Sequence, residues 1–238
     1  MLVHLRRRRL LAAALAGAAF AALGVTLASS RAAGDAKELA VSNLFTRAGF
    51  LTPLKPAVVY GASTFPIPLR VTAPDASWAG SQWRTTSRGK PAFSWAAVGH
   101  GATAPSGVPL RGVVTIVTPY GPSPSVAETV ARLQIGGSGA DYGKPTRVRL
   151  AGYAGTQLDG TVWGKWGHVF IPFSPVTNGA SPPDHLSLPR GETFRAIVLN
   201  VRGRTVLLFV LKADLPQDRF PGFLADAGRL LKTLAFPA

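Results

Sequence analysis

Phe194-Arg195-Ala196-Ile197-Val198-Leu199-Asn200-Val201-Arg202-Gly203-Arg204-Thr205-Val206-Leu207-Leu208-Phe209-Val210-Leu211 is the stretch on which the fold turns. Phe194 to Val201 and Arg204 to Leu211 are apolar arms of matched length joined by Arg202-Gly203, which reads as a two-residue β-hairpin. Val206 to Leu211 is apolar without a break, as expected of a strand covered on both faces. Such a strand needs a layer above and a layer below it. The chain offers a candidate for each.

One candidate follows the hairpin. Phe220, Phe223, Leu224, Ala227, Leu231 and Leu234 recur at helical spacing, and Asp218 near the start and Lys232 near the end suit the helix dipole. The expected helix runs from 218 to 234, with Leu224, Ala227, Leu231 and Leu234 on its buried face. The other candidate lies upstream. Ser125-Val126-Ala127-Glu128 is a capping box, Val126, Val130 and Leu133 then share one face, and Gly136-Gly137 stops the helix.

The remaining elements read as strands. Thr64 to Thr72 enters the domain along an edge, because Pro66 and Pro68 cannot donate to a ladder. Trp83 to Thr86 and Phe93 to Val98 form a hairpin, and Val113 to Thr118 follows as a β-branched run ended by Pro119. Thr146 to Leu150 and Thr156 to Trp163 meet at a corner marked by Gly152 and Gly155. His168 to Phe173 is a further strand, and Ser174 to Arg190, with four prolines and no periodicity, reads as a long loop. The whole is an α+β plan: a mainly antiparallel sheet flanked by two helices, an α/β/α sandwich.

That order resembles the PsbP-like domains, a group that includes secreted proteins of the LpqN type. Phe65-Pro66-Ile67-Pro68-Leu69-Arg70-Val71-Thr72-Ala73-Pro74 with Trp78 following, the capped helix Ser125 to Ile135, the Gly152 corner and the Phe220 to Leu234 helix carry the resemblance. It covers most of residues 58 to 236 and rests on element order. It implies a binding or assembly factor and brings no catalytic residues with it. LpqN-type proteins usually carry a lipid-anchoring cysteine; this chain has none.

Working outward to the N-terminus, Arg6 to Arg9 form a basic block ahead of nineteen uncharged residues, Leu10 to Ala28, of which nine are Ala. Small residues Ser29, Ser30, Ala32 and Ala33 follow. This is the pattern of a signal peptide or signal anchor over residues 1–33, and the low hydrophobicity of an Ala-rich run favours cleavage over retention as a single-pass anchor through residues 10–28. Residues 34–57 read as a stem, with the folded domain from 58 to 238. Export puts the domain outside the cytoplasm, either secreted or membrane-tethered, in the bacterial cell envelope.

Composition limits the chemistry. The 238 residues are 47% hydrophobic and 16% charged, which excludes a disordered or fibrous chain. With no cysteine there is no disulfide scaffold, Cys-ligated zinc or thiol nucleophile. Lys and Arg outnumber Asp and Glu by 26 to 11, so an acid-rich metal site is hard to assemble, and no metal or cofactor is expected. Without residues 1–33 the chain keeps 21 basic and 11 acidic residues. Outside a cell the anions it meets are phospholipids and cell-wall polymers, and another envelope protein is the alternative partner. Nucleic acid is not expected, since no element gathers Lys and Arg on one face.

Three histidines lie beyond the leader: His100, His168 and His185. Asp159 and His168 fall on strands expected to be neighbours, a carboxylate poised to orient an imidazole, although no nucleophile accompanies them. Asp159-Gly160 also reads as turn or bulge chemistry. Gly136-Gly137-Ser138-Gly139-Ala140 follows a helix where a serine elbow follows a strand, so it reads as a helix stop. Trp163-Gly164-Lys165-Trp166-Gly167-His168 packs two indoles and two cationic groups into six residues, a set suited to a partly apolar, partly anionic ligand. The alternative is that Trp163 is core and Trp166 covers the sheet edge, as Trp78 and Trp83 would be core around the first hairpin. The candidate ligand-binding set is Asp159, Trp163, Lys165, Trp166, His168 and His185.

Three functions compete: a binding or assembly module, an envelope hydrolase using Asp159 and His168, and a basic structural protein adhering to wall or membrane. All require export. A reporter that folds only outside the cytoplasm, fused after Ala238, is therefore expected to be active; activity of a reporter restricted to the cytoplasm would contradict the reading.

Overall fold

The computed structural model describes residues 52–62, 64–87, 90–100, 111–135, 139–163, 167–170, 185–188, 190–212 and 217–238. In chain order the strands are β1 (Thr52–Pro53), β2 (Val59–Gly61), β3 (Arg70–Thr72), β4 (Trp78–Ser87), β5 (Lys90–His100) and β6 (Gly112–Pro119). Helix α1 (Val126–Ile135) leads to β7 (Ala140–Tyr142), β8 (Thr146–Leu150), β9 (Tyr153–Val162), β10 (Gly167–Phe170) and β11 (His185–Leu188). The hairpin β12 (Thr193–Val201) and β13 (Arg204–Lys212) precedes a 3-10 turn, Gln217–Arg219, and helix α2 (Phe220–Leu231).

Nine strands form one sheet in the order β1-β4-β5-β6-β13-β12-β9-β7, with β8 also paired to β9. Every pair in it is antiparallel. The last hairpin of the chain thus fills the middle of the sheet, between β6 and β9. Its turn takes Arg202 and Gly203 through positive φ, 53° and 81°, the backbone that a two-residue hairpin with the right strand twist requires. Asn200 accepts a bond from the Gly203 amide (2.8 Å), and the Arg202 guanidinium donates to the Phe236 carbonyl (2.6 Å) beyond α2. The β8–β9 corner repeats the device at Ala151 and Gly152, with φ of 51° and 84°.

Alternation along the hairpin sorts its side chains into two cores. Ile197, Leu199, Val201, Val206, Leu208 and Val210 pack with Val114, Ile116, Val98 and Trp78 beneath α2. Phe194, Ala196, Val198, Leu207, Phe209 and Leu211 pack with Trp95, Phe93 and Leu158 beneath α1. The fold is an α+β sandwich with one helix on each face. Helix α1 starts at the expected capping box: Ser125 N donates to Glu128 (2.8 Å) and Glu128 N to the Ser125 hydroxyl (3.1 Å). Its buried residues Val130 and Leu133 fall on the expected face.

Helix α2 corrects the expectation by one rotation. Its regular span is Phe220–Leu231, and Phe220, Phe223, Ala227 and Leu230 are buried, with Leu234 beyond the end. Leu224 and Leu231 are only partly buried at the margin of that core. The two phenylalanines set the rotation, because Phe223 lies directly over Gly112 of β6. A Cβ built on Gly112 would come within 2.4 Å of the Phe223 ring, so any larger residue there would have to displace that buried ring.

Three other expectations change. The strand over 64–72 reduces to β3, which pairs with β2 in a small sheet of its own. Phe65, Ile67 and Leu69 are nonetheless buried against the main core; the alternation holds although Pro66 and Pro68 withhold ladder donors. The stretch read as a stem contains β1, which pairs with β4, and the buried Leu54. The long loop 174–190 contains β11, paired to β10. Among the described residues no helix is long and apolar enough to cross a membrane; residues 1–33 lie outside them. Leu230→Ala should cost about 2–5 kcal/mol in urea denaturation, and Leu231→Ala less than half as much. Equal losses would contradict this helix rotation.

Candidate functional site

Strand β9 buries Leu158, Gly160 and Val162 toward α1, so Asp159 and Thr161 fall on the opposite side and are exposed. Trp163 continues this alternation as an exposed indole, 55% accessible. Its backbone is well held: Trp163 N donates to Gly139 O (2.8 Å), Val162 N to Glu192 O (2.8 Å) and Gly191 N to Val162 O (2.7 Å). The indole therefore projects from a fixed rim, and the alternative of a core Trp163 does not hold.

Among the described side chains, the partner of Asp159 is an arginine. Asp159 stands directly opposite Arg195 on β12, and the guanidinium grips both carboxylate oxygens, at 2.7 and 3.0 Å. β9 pairs with β7, β8 and β12, whereas β10, which carries His168, pairs with β11. The expected neighbourhood of Asp159 and His168 is thereby overturned: the cross-strand partner of this carboxylate is an arginine. Gly160 is not turn chemistry either, because a Cβ there would meet the Phe194 ring at 2.2 Å. In the β10–β11 ribbon His168 stands opposite Ser187 and His185 opposite Phe170. The two histidines thus come onto paired strands, although seventeen positions apart in sequence. Lys165, Trp166 and residues 171–184 lie outside the described residues, and so does the side chain of Trp83; Trp78 is fully buried, as expected.

A second polar cluster escaped the sequence reading. Trp78, His100, Gly112 and Lys212 stand opposite one another across β4, β5, β6 and β13, one cross-strand row at one end of the sheet on the α2 side. His100 is buried (5% exposed), with its ring 4.8 Å from Trp78 and 6.3 Å from Phe223. Its Nδ1 is buried without a hydrogen bond and lies 3.9 Å from Asp226 Oδ2. Burial holds this imidazole below its ordinary pKa; Asp226 and Asp75 pull it upward, and Arg111 and Arg229 push it down.

Lys212 and Glu192, both about nine-tenths buried, pair at 2.9 Å. Burial pushes the Glu192 carboxyl up against the opposing pull of Lys212, and its Oε1 is buried without a hydrogen-bond partner. A buried ion pair of this kind marks a site more than it marks stability. One signal was available: Lys212 continues the inward alternation of Leu208 and Val210 on a strand covered on both faces. Among the described residues no group of three or more His, Asp or Glu is placed to hold a metal.

No family model and no curated protein matches the chain. Among solved structures it is similar to the crystal structure of LpqN, involved in cell envelope biogenesis of Mycobacterium tuberculosis, at 14% identity. The match covers 75% of this chain and 91% of that one, with a TM-score of 0.37.

The buried row gives a pH signature. A depressed imidazole binds its proton more readily in the unfolded chain, so the stability it contributes is full above its ordinary pKa of 6.5 and is lost as pH falls below it. Glu192 acts oppositely: its raised carboxyl takes a proton first in the folded state, so acidification toward 4.5 favours folding. Urea denaturation from pH 8 to 5 should show wild type losing stability relative to His100→Gln below about pH 6.5. Parallel pH profiles for the two proteins would contradict the assignment.

Proposed function

We propose that the chain is an exported binding or assembly module of the bacterial cell envelope, PsbP-like in architecture, whose contact surface is the Trp163 rim of β9 with the adjoining β10–β11 ribbon. The leader-like residues 1–33 and the basic balance of the remainder support the compartment and an anionic or envelope-protein partner. The observation that carries the reading is the exposed indole of Trp163 on a hydrogen-bonded rim, four residues along the chain from the Asp159–Arg195 pair. Large aromatics are buried on average, and an indole held out in solvent from a hydrogen-bonded backbone is an arrangement suited to contact. His168 and His185, on the paired strands of the ribbon, and Lys165 and Trp166, which follow Trp163 in the sequence, complete the proposed set.

A hydrolase using Asp159 and His168 is disfavoured by the Arg195 fork, which occupies the carboxylate that would orient the imidazole. General adhesion of a basic surface makes a different forecast, because it depends on total charge and yields to salt. Retention of the purified protein on envelope fragments from its native host, at fixed ionic strength, separates these readings. Trp163→Ala should lower retention severalfold while shifting stability by no more than about 0.5 kcal/mol. Undiminished retention would overturn the proposed surface and leave charge as its source.

A further inference from the structure

Arg111, immediately before β6, and Arg219, immediately before α2, face one cavity of about 140 Å³, which Gly222, Phe223 and Asp226 also line. Both arginines are exposed, and neither guanidinium has a hydrogen bond or ion pair among the described residues. The one carboxylate of the lining is already engaged. Asp226 accepts from Arg229 at 2.9 Å, and Arg229 also reaches Asp75 at 3.1 Å. Arg229 thus engages both carboxylates, and the two cations facing the cavity are unpaired among the described residues.

The second observation lies behind the Asp226 wall. His100, buried and adjacent to Phe223, directs an unpartnered Nδ1 toward Asp226 from the core side. The lining therefore presents two cations that are unpaired among the described residues, and His100, which is not part of it, lies behind Asp226. We infer that this cavity binds a phosphate-class oxyanion, with Arg111 and Arg219 as its ligands. Guanidinium forks match tetrahedral oxyanions bidentately and hold them more strongly than neutral donors do. A volume of about 140 Å³ exceeds the roughly 30 Å³ share of one water several times over, enough for a phosphate group with its hydration. The inference does not rest on the Trp163 surface: β6 and β9 are three strand intervals apart in the sheet, about 14 Å at the usual spacing.

Gly222 supplies a test that leaves the arginines in place. A Cβ there would meet nothing within 4 Å, and an acidic side chain suits the first turn of a helix. Gly222→Asp should fold normally and fill the cavity with its own carboxylate. Inorganic phosphate titrated calorimetrically into the full chain at constant ionic strength should bind saturably. Arg111→Ala with Arg219→Ala, and separately Gly222→Asp, should each weaken it at least tenfold. Arg147→Ala with Arg149→Ala, on the exposed strand β8, should leave it within twofold.

Retention on phosphatidylglycerol vesicles over phosphatidylcholine vesicles distinguishes the source. Retention lost in the same variants assigns the phosphate to a lipid headgroup; saturable phosphate binding without it assigns a free phosphate. Absence of both saturable binding and variant-dependent retention overturns the site, as does an equal loss in the β8 variant.

Discussion

Two-sided burial of β13 is the constraint on which the rest of the structure depends. Val206 to Val210 are buried at 0–1% exposure on alternating faces, and a strand so apolar has no face to leave in water. Burial of a large aliphatic side chain stabilises by about 1.5–3 kcal/mol, so the run as a whole demands cover above and below. Helix α2 supplies one cover and α1 the other. The chain reaches that arrangement only at its end, when the last hairpin enters between β6 and β9. Strands far apart in sequence are joined there, as the β13–β6 pairing of Leu208 with Ile116 shows.

The same packing explains why ionisable groups are buried at one end of the sheet. Phe223 must lie over Gly112, and this places the start of α2 across the row that His100 and Lys212 flank. Helix α2 covers His100 through Phe223 without giving its Nδ1 a hydrogen bond. His100 Nδ1 and Glu192 Oε1 are left without hydrogen bonds, and burial moves both groups toward their neutral forms. Exposed Asp159 and half-buried Arg195 satisfy each other instead, on the strand whose end carries the exposed Trp163. A buried polar row and a solvent-facing rim thus share one sheet for different reasons.

The sequence made the local devices legible: the hairpin arms, the capping box at Ser125, the Gly152 corner and the amphipathic α1. Each is set by neighbours within a few residues, so no long-range information is needed to read it. Less legible were features decided by packing. The α2 periodicity admits Leu231 as readily as Leu230, and only the seating of Phe223 on Gly112 chooses between them. Phe65, Ile67 and Leu69 follow strand alternation while the intervening prolines prevent a strand. At the candidate site the sequence left Trp163 either core or exposed, and only the packing of Leu158 and Val162 under α1 shows which side of β9 is covered. The partner of Asp159 was not legible either, because it depends on which strand lies beside β9. Glu192 and Lys212 each look like an ordinary charged residue near a strand end; only their burial in the folded chain sets the pair apart.

Native-state amide hydrogen exchange tests the central claim most directly. If the late hairpin is the centre of the sheet, amides of Leu207 to Val210 and of Ile197 to Leu199 should exchange most slowly, at the rate set by global unfolding. Those of β8 and β1, at the sheet edges, should exchange much faster. Exchange in β13 as fast as in β8 would contradict the account, because it would mean that the hairpin opens without the rest of the domain.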